Sequence, residues 1–147
     1  MNDSKALSYI EVYDYVIKGA AYLNQINANE YVGIWVENRW EAIVCILSIL
    51  YTGRVYVPLN KQWPVSRVKA ILTQLETYTC IVESKQDSDE LKENGSNDQD
   101  LILCDNMINH QSSDYRTTKR LTPDDVNQLG YIIFTSGTTG NPKGVCI

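Results

Sequence analysis

The chain has 147 residues, 44% hydrophobic and 21% charged, a composition that excludes a disordered chain and suits one domain burying about 68–70% of its unfolded surface. Thirteen basic against eighteen acidic side chains give a net charge of −5 without any Lys/Arg-rich stripe, which argues against nucleic acid as a partner. The longest apolar run, Ala42 to Tyr51, is interrupted by Ser48 and falls well short of the roughly 20 residues that span a bilayer, and no apolar stretch follows a basic start at the N-terminus, so the expected setting is cytoplasmic, away from membranes.

Ser8 and Glu11 stand at capping-box spacing, and Val12, Tyr15, Val16, Ala20 and Leu23 recur at helical intervals, predicting a helix from about Ser8 to Leu23. YVGIWV predicts a buried strand over Tyr31 to Val36. Asn38 and Glu41 repeat the capping pattern around Trp40, Ile43, Val44, Leu47, Leu50 and Tyr51, a second helix that Gly53 stops. Val55 to Leu59 is a strand in composition, and Pro58, which cannot donate a ladder bond, marks its edge or end. Pro64 suits the first position of a third helix lined by Val65, Val68, Ile71, Leu72 and Leu75, with a strand from Tyr78 to Val82 after it. Strands alternating with amphipathic helices predict an α/β fold with a mostly parallel, doubly wound sheet covered on both faces.

Residues 83–100, ESKQDSDELKENGSNDQD, hold seven acids, two lysines and Leu91 as the only large apolar side chain. They read as a solvated loop, with a partner site as the competing reading. Leu101 to Cys104 resembles a short strand, residues 105–128 form a second polar loop that includes His110, and Leu129 to Phe134 returns to strand composition. Cys45, Cys80, Cys104 and Cys146 lie in apolar stretches without a C-x-x-C pair, and are expected to be reduced core residues.

TSGTTGNPKGV, Thr135 to Val145, follows that last strand. Glycines at 137, 140 and 144 allow successive backbone N–H groups to turn toward one concavity, and the hydroxyls of Thr135, Ser136, Thr138 and Thr139 with the Lys143 ammonium add side-chain donors. No carboxylate interrupts them, so a polyphosphate fits; a ligand-free Gly/Thr hairpin turn is the competing reading. A Walker loop would need glycine at Pro142 and a hydroxyl at Gly144, and the dinucleotide G-x-G-x-x-G is absent.

LGYIIFTSGTTGNPKGVCI, Leu129 to Ile147, resembles the phosphate-loop signature of the adenylate-forming (AMP-binding) superfamily, which includes acyl-CoA synthetases, luciferases and the adenylation domains of nonribosomal peptide synthetases. ILYTGRVYVPLN, Ile49 to Asn60, is similar to a second motif of the peptide-synthetase branch that usually reads L-K-A-G-x-A-Y-V-P-L-D. The likeness runs from about Leu7 to Ile147. Asn60 replaces the usual aspartate and Tyr51-Thr52 the usual Lys-Ala, whereas Tyr56-Val57-Pro58 favours an amino-acid-activating domain over a fatty-acyl ligase.

The resemblance implies that residues 1–147 are a partial N-terminal subdomain of an ATP-dependent ligase that joins a carboxylate, an amino acid by preference, to the α-phosphate of ATP, releasing pyrophosphate, with Mg²⁺. It assigns nucleotide binding to Thr135, Ser136, Gly137, Thr138, Thr139, Gly140 and Lys143. Ser136, Thr138 and Thr139 would bond phosphate oxygens, Gly137 and Gly140 permit close approach, and Lys143 holds the β- and γ-phosphates while Pro142 stiffens the turn. It places the catalytic lysine and both substrate pockets beyond Ile147, so activity is expected only with a second polypeptide carrying the remainder, and a carrier protein would meet only the completed enzyme. A non-catalytic remnant or scaffold, and a fragment of an acyl-CoA synthetase, are the alternatives.

Overall fold

The computed structural model describes residues 5–37, 39–92, 100–111, 128–136 and 140–147. Helix α1 (Tyr9–Gln25) starts where the capping box predicts: the Ser8 hydroxyl accepts from the Glu11 amide, and the Ser8 amide donates to the Glu11 carboxylate at 2.8 Å. Strand β1 (Tyr31–Trp35), helix α2 (Trp40–Tyr51), strand β2 (Val55–Pro58), helix α3 (Val65–Gln74) and strand β3 (Cys80–Val82) follow in the predicted alternation. Then come α4 (Lys85–Leu91), β4 (Leu101–Leu103), α5 (Cys104–Ile108), β5 (Ile132–Ser136) and β6 (Pro142–Cys146).

Four strands form a parallel sheet in the order β2-β1-β3-β4. Because alternate strand residues face opposite sides, Val32, Ile34, Ile81 and Ile102 pack with α1, α2 and α5, while Trp35, Val57, Cys80 and Val82 pack with α3 and α4. Helices thus cover both faces, which is the doubly wound arrangement. On the first face α1 and α2 touch closely at Gly19, where an added Cβ would lie 2.4 Å from Ser48 Oγ and 3.2 Å from Met107 Cε of α5. Any side chain at that position would force the helices apart.

The first three helices end alike. The residue after each cap, Asn27, Gly53 or Glu76, has a left-handed φ of 52°, 75° and 52°. The next amide, of Ala28, Arg54 or Thr77, reaches back to the carbonyl of Leu23, Ile49 or Leu72. These are Schellman closures; the sequence announces only the one at Gly53. Beyond the first and third of them, Asn29 clasps the starts of β1 and β3. Its Oδ1 accepts from the amides of Tyr78 and Thr79 (both 3.2 Å) and from the Thr79 hydroxyl (2.9 Å), while its own amide donates to Thr79 Oγ1 at 3.0 Å.

Several expectations need correction. The loop expected over 83–100 opens with α4, whose Ser84 and Asp87 form a second capping box and whose Leu91 is buried. The loop expected over 105–128 opens with α5, which buries Met107 and Ile108; His110 lies in a loop as expected, edge-on to the Tyr22 ring at 5.2 Å. The N-cap of α2 is Arg39, without a side-chain bond, not Asn38, which lies outside the described residues. Pro64 is the N-cap of α3 rather than its first helical residue. Cys45, Cys80 and Cys104 are buried free thiols as expected, but Cys146 is exposed on β6, a strand at the outer edge of an antiparallel pair.

Candidate functional site

The glycine-rich loop is the turn of the β5–β6 hairpin. Its strands pair antiparallel, with Thr135 opposite Lys143, Ser136 opposite Pro142 and Phe134 opposite Gly144. Alternation along β5 buries Ile132 and Phe134 in the cluster formed by β2 and α3, and leaves Ile133, Thr135 and Ser136 exposed. Gly144 makes room for that anchor: a Cβ there would come within 3.0 Å of Ile132 Cγ2 and 3.2 Å of Phe134 Cζ. The anchored residues fix the root of the hairpin, at the end opposite its tip.

Of the seven residues expected to bind phosphate, Thr135, Ser136, Gly140 and Lys143 are placed together at this tip, all exposed. Gly140 adopts φ 82° with nothing within 4 Å of a would-be Cβ, so its requirement for glycine comes from the backbone rather than from crowding. The Thr135 hydroxyl stands 3.5 Å from the Lys143 carbonyl across the hairpin. Gly137, Thr138 and Thr139 lie outside the described residues. The described part offers two hydroxyls and an ammonium without a carboxylate, a donor set suited to an anion.

The second motif is the strand beside the hairpin, which spacing alone did not reveal. Tyr56 forms a parallel bridge with Tyr131, the Tyr56 amide donates to the Gly130 carbonyl at 3.2 Å, and the two rings stack at 5.1 Å. Burial, then the neighbouring Tyr131, pushes the Tyr56 phenol up. Asn60 ends this motif: its Oδ1 accepts from the Gln62 amide at 2.8 Å and its carbonyl accepts from Trp35 Nε1 at 3.2 Å. A carboxylate would accept the first bond equally well, so the usual Asp and the Asn found here serve the same turn. The adjacent Lys61 lies 4.2 Å from the Trp35 ring centre and pairs with Asp87 of α4.

Elsewhere, an open cavity of about 290 Å³ is lined by Ile10, Tyr13, Asp14, Ile17 and Tyr51 and includes no residue of the loop. Among the described residues, no cluster of three or more His, Cys, Asp or Glu is placed to hold a metal, and no helix is long and apolar enough to cross a membrane.

Comparisons with known proteins fit the geometry. The profile of the family described as AMP-binding enzyme matches residues 1–147. The chain is 31% identical over 147 residues to N-(5-amino-5-carboxypentanoyl)-L-cysteinyl-D-valine synthase of Penicillium rubens, an alignment covering 97% of this chain and 4% of that protein. It is 30% identical over 123 residues to tyrocidine synthase 1 of Brevibacillus parabrevis, covering 83% of this chain and 11% of that one. The chain therefore spans a small part of these relatives. Among solved structures, the Klebsiella oxytoca NpsA N-terminal subdomain in complex with 3-hydroxyanthranilyl-AMSN superposes with a TM-score of 0.78 at 22% identity, covering 99% of this chain and 34% of that one. VinN superposes at 0.79 with 18% identity, covering 98% and 37%. These likenesses establish the fold, and the profile match over the whole sequence establishes the lineage: the chain belongs to the AMP-binding enzyme family.

Proposed function

We propose that this chain is the N-terminal portion of an ATP-dependent adenylating ligase of the peptide-synthetase type, in which the β5–β6 loop holds the β- and γ-phosphates of ATP while a carboxylate, an amino acid by preference, attacks the α-phosphate. The observation that carries this reading is the hairpin itself: Thr135, Ser136 and Lys143 are exposed together with no carboxylate among the described tip residues, rooted by Ile132 and Phe134 beside Tyr56 of the second motif. As pyrophosphate departs, negative charge grows on its oxygens, and fixed donors that need no reorganisation stabilise that charge. Within this reading Gly137, Thr138 and Thr139 complete the cradle.

Among the described residues the donors at the tip suit a polyphosphate and no cluster is placed to hold a metal, so Mg²⁺ would arrive on the nucleotide's own oxygens. The proposed setting is the cytoplasm, which suits four free thiols. A second polypeptide, or further sequence, supplies the acyl pocket and the catalytic lysine, and the acyl group then passes to a carrier-protein thiol. The similar NpsA N-terminal subdomain is solved in complex with 3-hydroxyanthranilyl-AMSN, which supports a ligand-binding role for this fold.

ATP–pyrophosphate exchange tests the reading. The 147-residue chain alone should give none, and exchange should appear when the remainder of the adenylation domain is joined to it or added. Robust exchange by the chain alone, or none in the completed enzyme with any amino acid, overturns it. In that completed enzyme Lys143→Ala should lower kcat for adenylation by about 10²-fold, the usual cost of removing one charge-stabilising donor; an unchanged rate removes Lys143 from the phosphate site.

A further inference from the structure

We propose that Cys45 and Cys104 form a peroxide-responsive dithiol that closes to a disulfide and staples α2 to α5. The two sulfurs, 59 residues apart in sequence, already lie 3.5 Å from each other. Cys45 is wholly buried in the middle of α2, and Cys104, 3% exposed, opens α5. From 3.5 Å, about 1.5 Å of approach remains to an S–S bond of ~2.05 Å.

The surrounding packing holds the pair together. Three residues on from each cysteine, Ser48 and Met107 both press on Gly19 of α1, at 2.4 Å and 3.2 Å from where a Cβ would stand. The joint between α1, α2 and α5 is thus closed around the thiols, so the second sulfur is delivered at high effective concentration once the first has reacted. The other cysteines lack such a partner in position. Cys80 packs in the cluster on the opposite face of the sheet, where burial pushes its thiol up to about 12, and Cys146 is exposed on β6.

A bulky disulfide oxidant cannot reach two buried sulfurs, so the oxidant class is a small hydroperoxide. The sequence starts at Cys104, the less deeply buried sulfur, at 3% exposed against 0% for Cys45. The Cys104 sulfur gives up its proton and attacks one peroxide oxygen; the O–O bond breaks, and the leaving hydroxide takes up that proton as water. The Cys45 sulfur then attacks the Cys104 sulfenic acid, the S–S bond forms, the S–O bond breaks, and the second water leaves with the Cys45 proton. Two thiols are oxidised by two electrons, one peroxide is reduced, and a later thiol reductant reverses the change.

The test treats the folded chain with hydrogen peroxide, blocks remaining thiols with iodoacetamide and digests with trypsin without reduction. Expected is a linked pair of peptides 40–54 and 93–116, lighter by about 2 Da than the sum of the reduced peptides because two hydrogens are lost, restored by dithiothreitol. It should form equally in a Cys146→Ser chain, which removes the surface thiol, and the oxidised chain should unfold at higher urea than the reduced one. The proposal is overturned if Cys45 and Cys104 both remain alkylatable after unfolding while Cys146 oxidises. It is overturned equally if links to Cys80 or Cys146 form as readily as the 45–104 link, or if the link appears only in peroxide-treated chain already unfolded in urea.

Discussion

Replacing Asn29 by alanine removes one oxygen that serves three donors within 3.2 Å, the amides of Tyr78 and Thr79 and the Thr79 hydroxyl. Tyr78 is 66% exposed, so its amide can turn to water, but Thr79 is 2% exposed and strands two donors away from solvent. Each buried unsatisfied donor costs roughly 1–3 kcal/mol, so the expected loss is about 3 kcal/mol. Asn29→Asp keeps every accepted bond, since a carboxylate accepts at both oxygens, and should cost under about 1 kcal/mol at neutral pH. Thr79→Val in the Asn29→Ala background should add less than it costs alone, because both changes break the same clasp. Urea unfolding followed by circular dichroism at 222 nm (~222 nm, the backbone amide band of helices built on i→i−4 bonds) gives all three values. A loss for Asn29→Ala below about 1 kcal/mol, or equal losses for Ala and Asp, refutes the reasoning from stranded donors.

The Asp87 carboxyl is pushed up by burial, but hydrogen bonds from Lys61 and Ser84 outweigh this and hold it below its ordinary value of 3.8. A depressed carboxyl contributes stability above its unfolded pKa and loses it as pH falls through the folded value. Unfolding midpoints from pH 6 down to pH 2 (about 2–6, spanning carboxyl titration) should therefore fall less steeply in Lys61→Met than in the parent; parallel curves would show that the pair carries none of the acid dependence. Glu76 holds φ 52° at the close of α3, a conformation that glycine adopts without penalty, so Glu76→Gly should gain about 0.5–1 kcal/mol in the same urea assay. A loss on that substitution would mean that the Glu76 side chain, rather than its backbone, sets the site.

The alternating core was legible because its signals are local. The Ser8/Glu11 box, the Gly53 stop and the apolar faces of α1, α2 and α3 each lie within a few turns of chain, and each has its counterpart in the structure. Helices α4 and α5 were hidden by length: seven and five residues give too few turns for a period to emerge. Yet the Ser84/Asp87 spacing with Leu91 behind it was a readable signal for α4, masked by the acidic composition around it. Cys146 looked like core because its neighbours are apolar, and only the antiparallel pairing of β6 at an edge shows why it is exposed. At the site, the loop's donors were plain in the sequence, whereas the pairing of Tyr56 with Tyr131 joins residues 75 positions apart and follows from the fold alone.

That same bridge determines how the hairpin can move. Among the described residues, one backbone rung, one ring stack and the burial of Ile132 and Phe134 against β2 and α3 join it to the sheet, while Ile133 and Val145 are exposed on the other side. Swinging the loop away from α3 would expose two large side chains and is opposed by their burial. A nucleotide held at the tip, as proposed, would act through a lever anchored by Ile132 and Phe134, so a ligand that engages Lys143 should slow amide exchange at Tyr56 and Gly130 before it affects the helices.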